Sequence, residues 1–304
     1  KMAKIDQPTL RRLCREWAEK YVDIQREGFK RLGVNADWEH PYLTFTHDYE
    51  AGNVEIFKTM YLNGSVYRGR KPIHWCKTCH TALAEAEIEY GDEVSPSIFV
   101  NFKLDAVPPI FETAGVKDPS YILIWTTTPW TLPSNVALCV NPVETYVKIK
   151  VGDEKFILAE ALVEANFPDT EYEVVEKYVG TDLEYKEYEP LFKCTGDYVA
   201  SKGKKAHYLV CDNYVTMSDG TGIVHIAPAF GEDDANVGRK YDLPFVQLVD
   251  GKGEMTKETP WAGTFCKDVD KEILVNLEER GQLFNAPKFE HSYPFCWRCD
   301  TPLI

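Results

Sequence analysis

The chain has 304 residues, 44% apolar and 27% charged, which suits one large globular domain with attached pieces and a sizeable core. Its formal net charge is −14, from 34 Lys and Arg against 48 Asp and Glu, which argues against broad non-specific nucleic-acid binding but leaves room for a local site for one nucleotide end. No apolar run approaches the roughly 20 residues that span a bilayer, the opening "KMAKIDQPTLRR" holds no secretory apolar segment, and nine cysteines without an evident disulfide ladder point to a reducing, cytoplasmic setting.

Residues 6–33 read as an amphipathic helix, with Leu10, Leu13, Cys14, Trp17, Tyr21 and Ile24 at steps of three and four and Gly33 as the stop. A second helix is expected from about residue 49 to 62, ending at Gly64. From 95 to 248 the character changes to short β-rich runs: "SIFVNF", "YILIW", "VALCV", "YVKIKV", "KFILA", "YEVVEKYV", "HYLVCD", "GIVHIA" and "FVQLV". Turn residues separate them, and this spacing predicts a barrel or strongly curved sheet. Residues 231–242 and 268–281 read as helices, the first with acids at its positive end, the second with Asp268 as cap and Gly281 as stop.

The clearest chemical signal is a pair of CxxC knuckles, Cys76 with Cys79 and Cys296 with Cys299, both in the pattern C-x-x-C-x-T. Four thiolates suit a tetrahedral Zn²⁺ with no open position, hence a structural site. The 216 residues between the pairs suggest a domain inserted between two halves of a knuckle, the metal stapling its entry and exit. Two unrelated thiol pairs are the plain alternative. His74 and His80 beside the first pair read as unused surface histidines.

Two further stretches stand out. "IWTTTPWTLPSN" (residues 124–135) closes an apolar strand with four threonines, two prolines and no ionisable group. Threonine is an ordinary strand residue. Pro129 and Pro133, however, are expected to end the strand in an extended, rigid segment whose hydroxyls can line a pocket. "DGTGIVHIAPAFGEDD" (residues 219–234) carries His225 on a short strand that Pro228 breaks, then acids at a helix start. A lone strand histidine is usually a core residue, and Asp233 and Asp234 would serve any helix start. An Asp facing a pocket is also a natural anchor for a ligand ammonium.

Together, "RLGVNADWEHPYLTF", "KPIHWCKTCHTALAEAEIEY", "WTTTPWTLPSN", "GTGIVHIAPAFGEDD" and "HSYPFCWRCDTPLI" resemble, in order, the connective-peptide (CP1) region of class I aminoacyl-tRNA synthetases, in the bacterial isoleucyl type. Valyl and leucyl relatives have a different threonine-rich peptide, and valyl enzymes carry Lys in place of His225. The HIGH-like and KMSKS-like signatures of nucleotide binding are not in these residues, so the chain is expected to be a fragment that does not itself charge tRNA, ATP belonging to the full-length enzyme. The resemblance implies an α+β, mostly β fold: a helical segment (1–72), a split four-cysteine zinc knuckle (73–92 and 286–304) and a barrel-like editing domain (93–285).

The resemblance also implies an activity. The expected reaction is hydrolysis of valine wrongly esterified to the 3′-terminal adenosine of isoleucine tRNA, and of valyl-adenylate in some share, with the rest of the synthetase in cis and no membrane. Thr126, Thr127 and Thr128 would hold the ester and a water, Asp234 would pair with the α-ammonium, His225 would set the side-chain size limit, and Trp130 and Asn135 would lie on the adenosine side. Valyl or leucyl editing, or a module that only grips the tRNA acceptor end, are the competing readings.

Overall fold

The computed structural model describes residues 5–104 and 120–304. Its contacts divide it into two units, Lys1–Arg70 and Lys71–Ile304. The expectations for 1–4 and 105–119 lie outside the described residues.

The first unit holds two helices, α1 (Gln7–Arg31) and α2 (His47–Leu62), close to the predicted bounds. Pro8 suits the first turn of α1, where its missing N–H is no loss. Gly33 (φ 78°) and Gly64 (φ 75°) follow the two helices in the left-handed conformation that ends a helix. Neither helix buries a residue.

Among the described residues, the second unit contains thirteen strands in chain order: β1 (Trp75–Cys76), β2 (Thr81–Ala82), β3 (Ile88–Pro96), β4 (Ile98–Lys103), β5 (Ser120–Thr126), β6 (Ala137–Val140), β7 (Thr145–Val151), β8 (Glu154–Ala159), β9 (Glu173–Val179), β10 (Tyr208–Cys211), β11 (Ile223–Ile226), β12 (Leu283–Asn285) and β13 (Lys288–Cys296). Six form one sheet in the order β12-β4-β5-β8-β7-β9, and three form a second in the order β10-β6-β11. Period-two alternation decides what each face buries. Ile98, Val100 and Phe102 of β4 and Ile122 and Ile124 of β5 meet Leu138, Val140, Leu209 and Ile223 from the smaller sheet in one core. Leu123, Val147, Ile149, Phe156 and Leu158 point the other way into a second cluster. Strands buried on both faces read as the continuous apolar runs that the sequence shows.

Three expectations need correction. Among the described residues, the larger sheet does not close into a barrel. Its end strands are β12, only three residues long, and β9, exposed along nearly all its length, and the two do not pair. "FVQLV" is not a strand; it follows Pro244, and its Val249 makes an isolated bridge to Met255. The last helix is Asp270–Glu279, and no side chain caps it, so Asp268 is not its cap.

A long antiparallel ribbon, β3 with β13, pairs nine residues on each side, from Lys288 against Pro96 to Cys296 against Ile88. It leads from the sheets to the cysteine knuckles, which pair with each other through Trp75 N–H to Ile304 O (2.9 Å) and Ile304 N–H to Trp75 O (3.1 Å).

Candidate functional site

The threonine-rich stretch leaves β5 at Thr126 and turns at once. The Thr128 N–H donates to Thr126 Oγ1 at 3.1 Å, a local turn of the kind short hydroxyl side chains favour. Pro129 then opens a fully buried 3-10 helix, Pro129–Ser134, instead of the extended segment expected from the two prolines. A proline in a helix's first turn costs no donor, since that N–H would lack a partner anyway. The hydroxyls form a chain. Thr126 Oγ1 lies 3.3 Å from Thr128 Oγ1, which lies 3.4 Å from Thr131 Oγ1. The Thr127 hydroxyl has no partner among the described residues and is half-exposed.

Thr131 connects this stretch to the second one, 94 residues away, through Oγ1 to His225 Nε2 at 3.0 Å. Its own proton goes to Thr128 O at 2.8 Å. With the Thr131 proton on Thr128 O, His225 Nε2 is the donor of this contact and the lone pair belongs to Nδ1. That Nδ1 is buried without a partner among the described residues. Burial pushes the imidazole down to about 4, so the ring is neutral at physiological pH.

The glycines of the GTG turn explain how the stretches come together. Gly220 (φ 70°) and Gly222 (φ 72°) flank Thr221 in left-handed backbone. A Cβ on Gly220 would stand 2.8 Å from the Trp125 ring, and one on Gly222 would stand 2.5 Å from Ala159 Cβ. The turn thus packs against the residue preceding the threonines and delivers the chain into β11, whose His225 lies opposite Leu138 of β6. A hollow of about 250 Å³ opens beside this turn, lined by Trp125, Tyr214, Thr216, Asp219 and Val224 among others.

Two residues after His225, the Ala227 N–H donates to Asp234 Oδ2 at 3.0 Å. Asp234 sits in the first turn of helix Glu232–Lys240, and its carboxyl folds back over Gly231, where an added Cβ would stand 2.9 Å from Asp234 Cγ. Burial by surrounding protein is the largest cause that pushes this carboxyl up to about 7, although the residue as a whole keeps some solvent contact. Asp233 pushes the same way, and the Ala227 N–H opposes. Among the described residues, no cation pairs with Asp234.

Trp130 and Asn135 are buried. The Trp130 ring meets Phe230 edge-on, with centroids 5.0 Å apart, and its indole N–H has no partner among the described residues. Asn135 spends both ends of its amide inside the fold, giving Nδ2–H to Ala137 O and accepting from Tyr188 OH. The structure thus joins Thr126 and Thr128 to His225 through Thr131, and the Asp234 carboxyl to the backbone just beyond His225. Thr127 stands outside the hydroxyl chain. Thr131 carries the link to His225 and Phe230 meets the Trp130 ring, and sequence reasoning missed both; the clue for Thr131 is its position three residues after Thr128, one turn of a 3-10 helix.

The four cysteines converge as well. Cys76, Cys79, Cys296 and Cys299 place their sulfurs within 4.8 Å of one another and could hold a metal ion. Cys76 to Cys299 is 3.5 Å and Cys79 to Cys299 is 3.6 Å. Zinc–sulfur bonds in a tetrahedron imply about 3.8 Å between sulfurs, so the donor set fits. The Thr301 hydroxyl and N–H lower the Cys299 thiol, while hydrogen bonds among the sulfurs raise Cys79 and burial raises Cys76. Leu83 and Leu303 close an apolar shell around the group.

Comparison with known proteins bears on which family this is. Residues 1–230 match the family model described as tRNA synthetases class I (I, L, M and V). The chain is 49% identical over 299 residues to the isoleucine–tRNA ligase of Fervidobacterium pennivorans, covering 97% of this chain and 30% of that one. It is 44% identical over 311 residues to that of Thermotoga petrophila, covering 100% and 32%. The chain thus spans about a third of the length of these relatives. Among solved structures, the P. falciparum cytosolic leucyl-tRNA synthetase editing domain is similar at 12% identity with a TM-score of 0.48, covering 64% of this chain and 99% of that one. The match to the family model over most of its length shows that the chain belongs to the class I tRNA synthetases of the isoleucine, leucine, methionine and valine group.

Proposed function

We propose that this chain is the proofreading part of an isoleucine–tRNA ligase, hydrolysing valine esterified to the 3′-terminal adenosine of isoleucine tRNA. The need for it is physical. One missing methylene in an apolar pocket is worth only about 1–3 kcal/mol, a general value for which isoleucine selection is itself the standard example. A second site that uses size in the opposite sense can admit valine and exclude isoleucine by clash.

The observation that carries the reading is the junction of two distant stretches: threonine hydroxyls bonded through Thr131 to a neutral His225, with an uncompensated Asp234 carboxyl bonded to the backbone two residues further on. An aminoacyl ester is already labile, so the site needs to position a water and the ester more than to supply a strong nucleophile. In this reading the free Thr127 hydroxyl and the Thr126–Thr128 pair bind the ester and the water, and Asp234 takes the α-ammonium. The neutral His225 fills space and sets the size limit without bringing a charge. Water adds to the ester carbonyl, and the tetrahedral adduct expels the ribose oxygen, which leaves with a proton to give valine and the free 3′ end. Trp130 is proposed on the adenosine side. Asn135, whose amide is engaged within the fold, supports that side by holding the backbone of the turn. Valyl-adenylate presents the same ammonium and side chain and is a second substrate of the same residues. A structural Zn²⁺ held by the four cysteines would staple the knuckles at the far end of the β3–β13 ribbon, and cytoplasmic protein synthesis is the proposed setting.

Asp234→Ala tests the reading. Deacylation of valyl-tRNA should fall by roughly 100-fold or more, since a partly buried charged hydrogen bond is lost at the reacting end, while the fold persists. Undiminished hydrolysis by a folded Asp234→Ala chain removes the carboxylate from this role.

A further inference from the structure

Asp270 plays no part in the reading above. It opens helix Asp270–Glu279 and is 8% exposed. An acid at that position ordinarily serves the free N–H groups of its own helix. Here the carboxylate turns to another one: Oδ1 accepts the backbone N–H of Trp130 at 2.9 Å, across 140 residues of sequence. Trp130 is the second residue of the 3-10 helix Pro129–Ser134. Pro129 has no N–H, so the Trp130 N–H is the first donor of that helix and has no acceptor within it. Pro129 fixes φ, and Asp270 fixes the direction of the next N–H. Between them they aim two adjacent side chains, Trp130 onto Phe230 (5.0 Å, 78°) and Thr131 onto His225 Nε2 (3.0 Å).

We propose that Asp270 is a positioning residue for the hydrolytic site: by accepting the Trp130 N–H it holds the threonine–tryptophan turn in register with His225 and Phe230. The catalytic consequence rests on the proofreading function proposed above. Other ionisable groups face Asp270 from three elements. Cys266, Lys267 and Asp268 lie on the segment before it, Glu93 on β3, and Tyr293 on β13. Lys267 is itself engaged by Glu93 at 2.8 Å. Burial pushes Asp270 up to about 7, and the Trp130 N–H is the strongest influence holding it down, so the bond is charge-assisted only as the carboxyl ionises.

The test compares Asp270→Ala and Asp270→Asn in the 304-residue chain, with valyl-tRNA as substrate and 15N-tryptophan labelling to follow the Trp130 backbone amide, assigned by Trp130→Phe. A turn displaced by removing its anchor should lower kcat per folded molecule roughly 10- to 100-fold in Asp270→Ala with KM little changed. Asp270→Asn keeps an accepting oxygen and should restore most of the rate. The Trp130 amide proton should shift with pH around neutrality in the parent chain, stay still in Asp270→Asn and be displaced in Asp270→Ala. Unchanged kcat in folded Asp270→Ala, or a Trp130 amide indifferent to both variants, overturns the proposal. If the parent chain hydrolyses no valyl-tRNA, it is the proofreading reading that fails, and the amide signal alone then decides whether Asp270 positions the turn.

Discussion

Single protons set the character of the site. Thr131 has one, and in the arrangement that gives it to Thr128 O, His225 is a donor through Nε2 and a bare acceptor through Nδ1. Thr131→Val keeps the shape and removes the acceptor. It should cost about 1–3 kcal/mol for a buried donor left unmade, read from chemical denaturation. The carboxyls set the pH response. Asp234 and Asp270 are both pushed up to about 7, above the ordinary value near 4, so between these limits the folded chain holds protons that the unfolded chain releases. Their contribution to stability is full at low pH and is lost as pH rises through about 7. His207 and His225, both lowered to about 4, work in the opposite sense and cost stability as pH falls from the ordinary imidazole range. Asp234→Asn should therefore lose less Tm than the parent between pH 6 and pH 8, and an equal drop would show that Asp234 is ionised normally in the folded chain. The sequence pointed to His225 and Asp234 by motif, but not to Thr131 or Asp270. Their roles are set by a contact across 94 residues and another across 140, and no local pattern encodes those.

At the scale of elements, strands β4 to β11 were legible because β-branched and aromatic runs bounded by turn residues announce buried strands. The β3–β13 ribbon was not. Its segments, "IEYGDEVSP" and "KFEHSYPFC", are rich in polar and charged residues, and their pairing is a long-range fact about register. Nor could the sequence show that the larger sheet stays open, which depends on how short β12 is and how exposed β9 is. The GTG turn is where local chemistry is strictest. Gly222→Ala places a methyl against Ala159 in left-handed backbone and should destabilise the chain by about 1–3 kcal/mol, measurable by thermal or denaturant unfolding. The cysteine knuckles make a separate prediction. The purified chain should carry one zinc per molecule, a chelator should lower Tm, and Cys76→Ser should abolish the stoichiometric metal. Metal absent from a natively prepared chain would leave the four sulfurs as a thiol cluster only.

For the molecule as a whole, two kinds of assembly serve different ends. Two open sheets share one core and present the threonine turn and the GTG strand to each other, while the ribbon carries the cysteine knuckles. Membership of the class I synthetases was readable from five motifs in order, whereas the size of the space left for a side chain depends on side-chain packing that no motif specifies. That space is read by comparing deacylation of valyl-tRNA and isoleucyl-tRNA, both on isoleucine tRNA, by the 304-residue chain. The valyl ester should be cleaved at least about 10-fold faster, since one methylene must decide the outcome by clash. Equal cleavage of both esters, or cleavage of neither, would overturn selection by size.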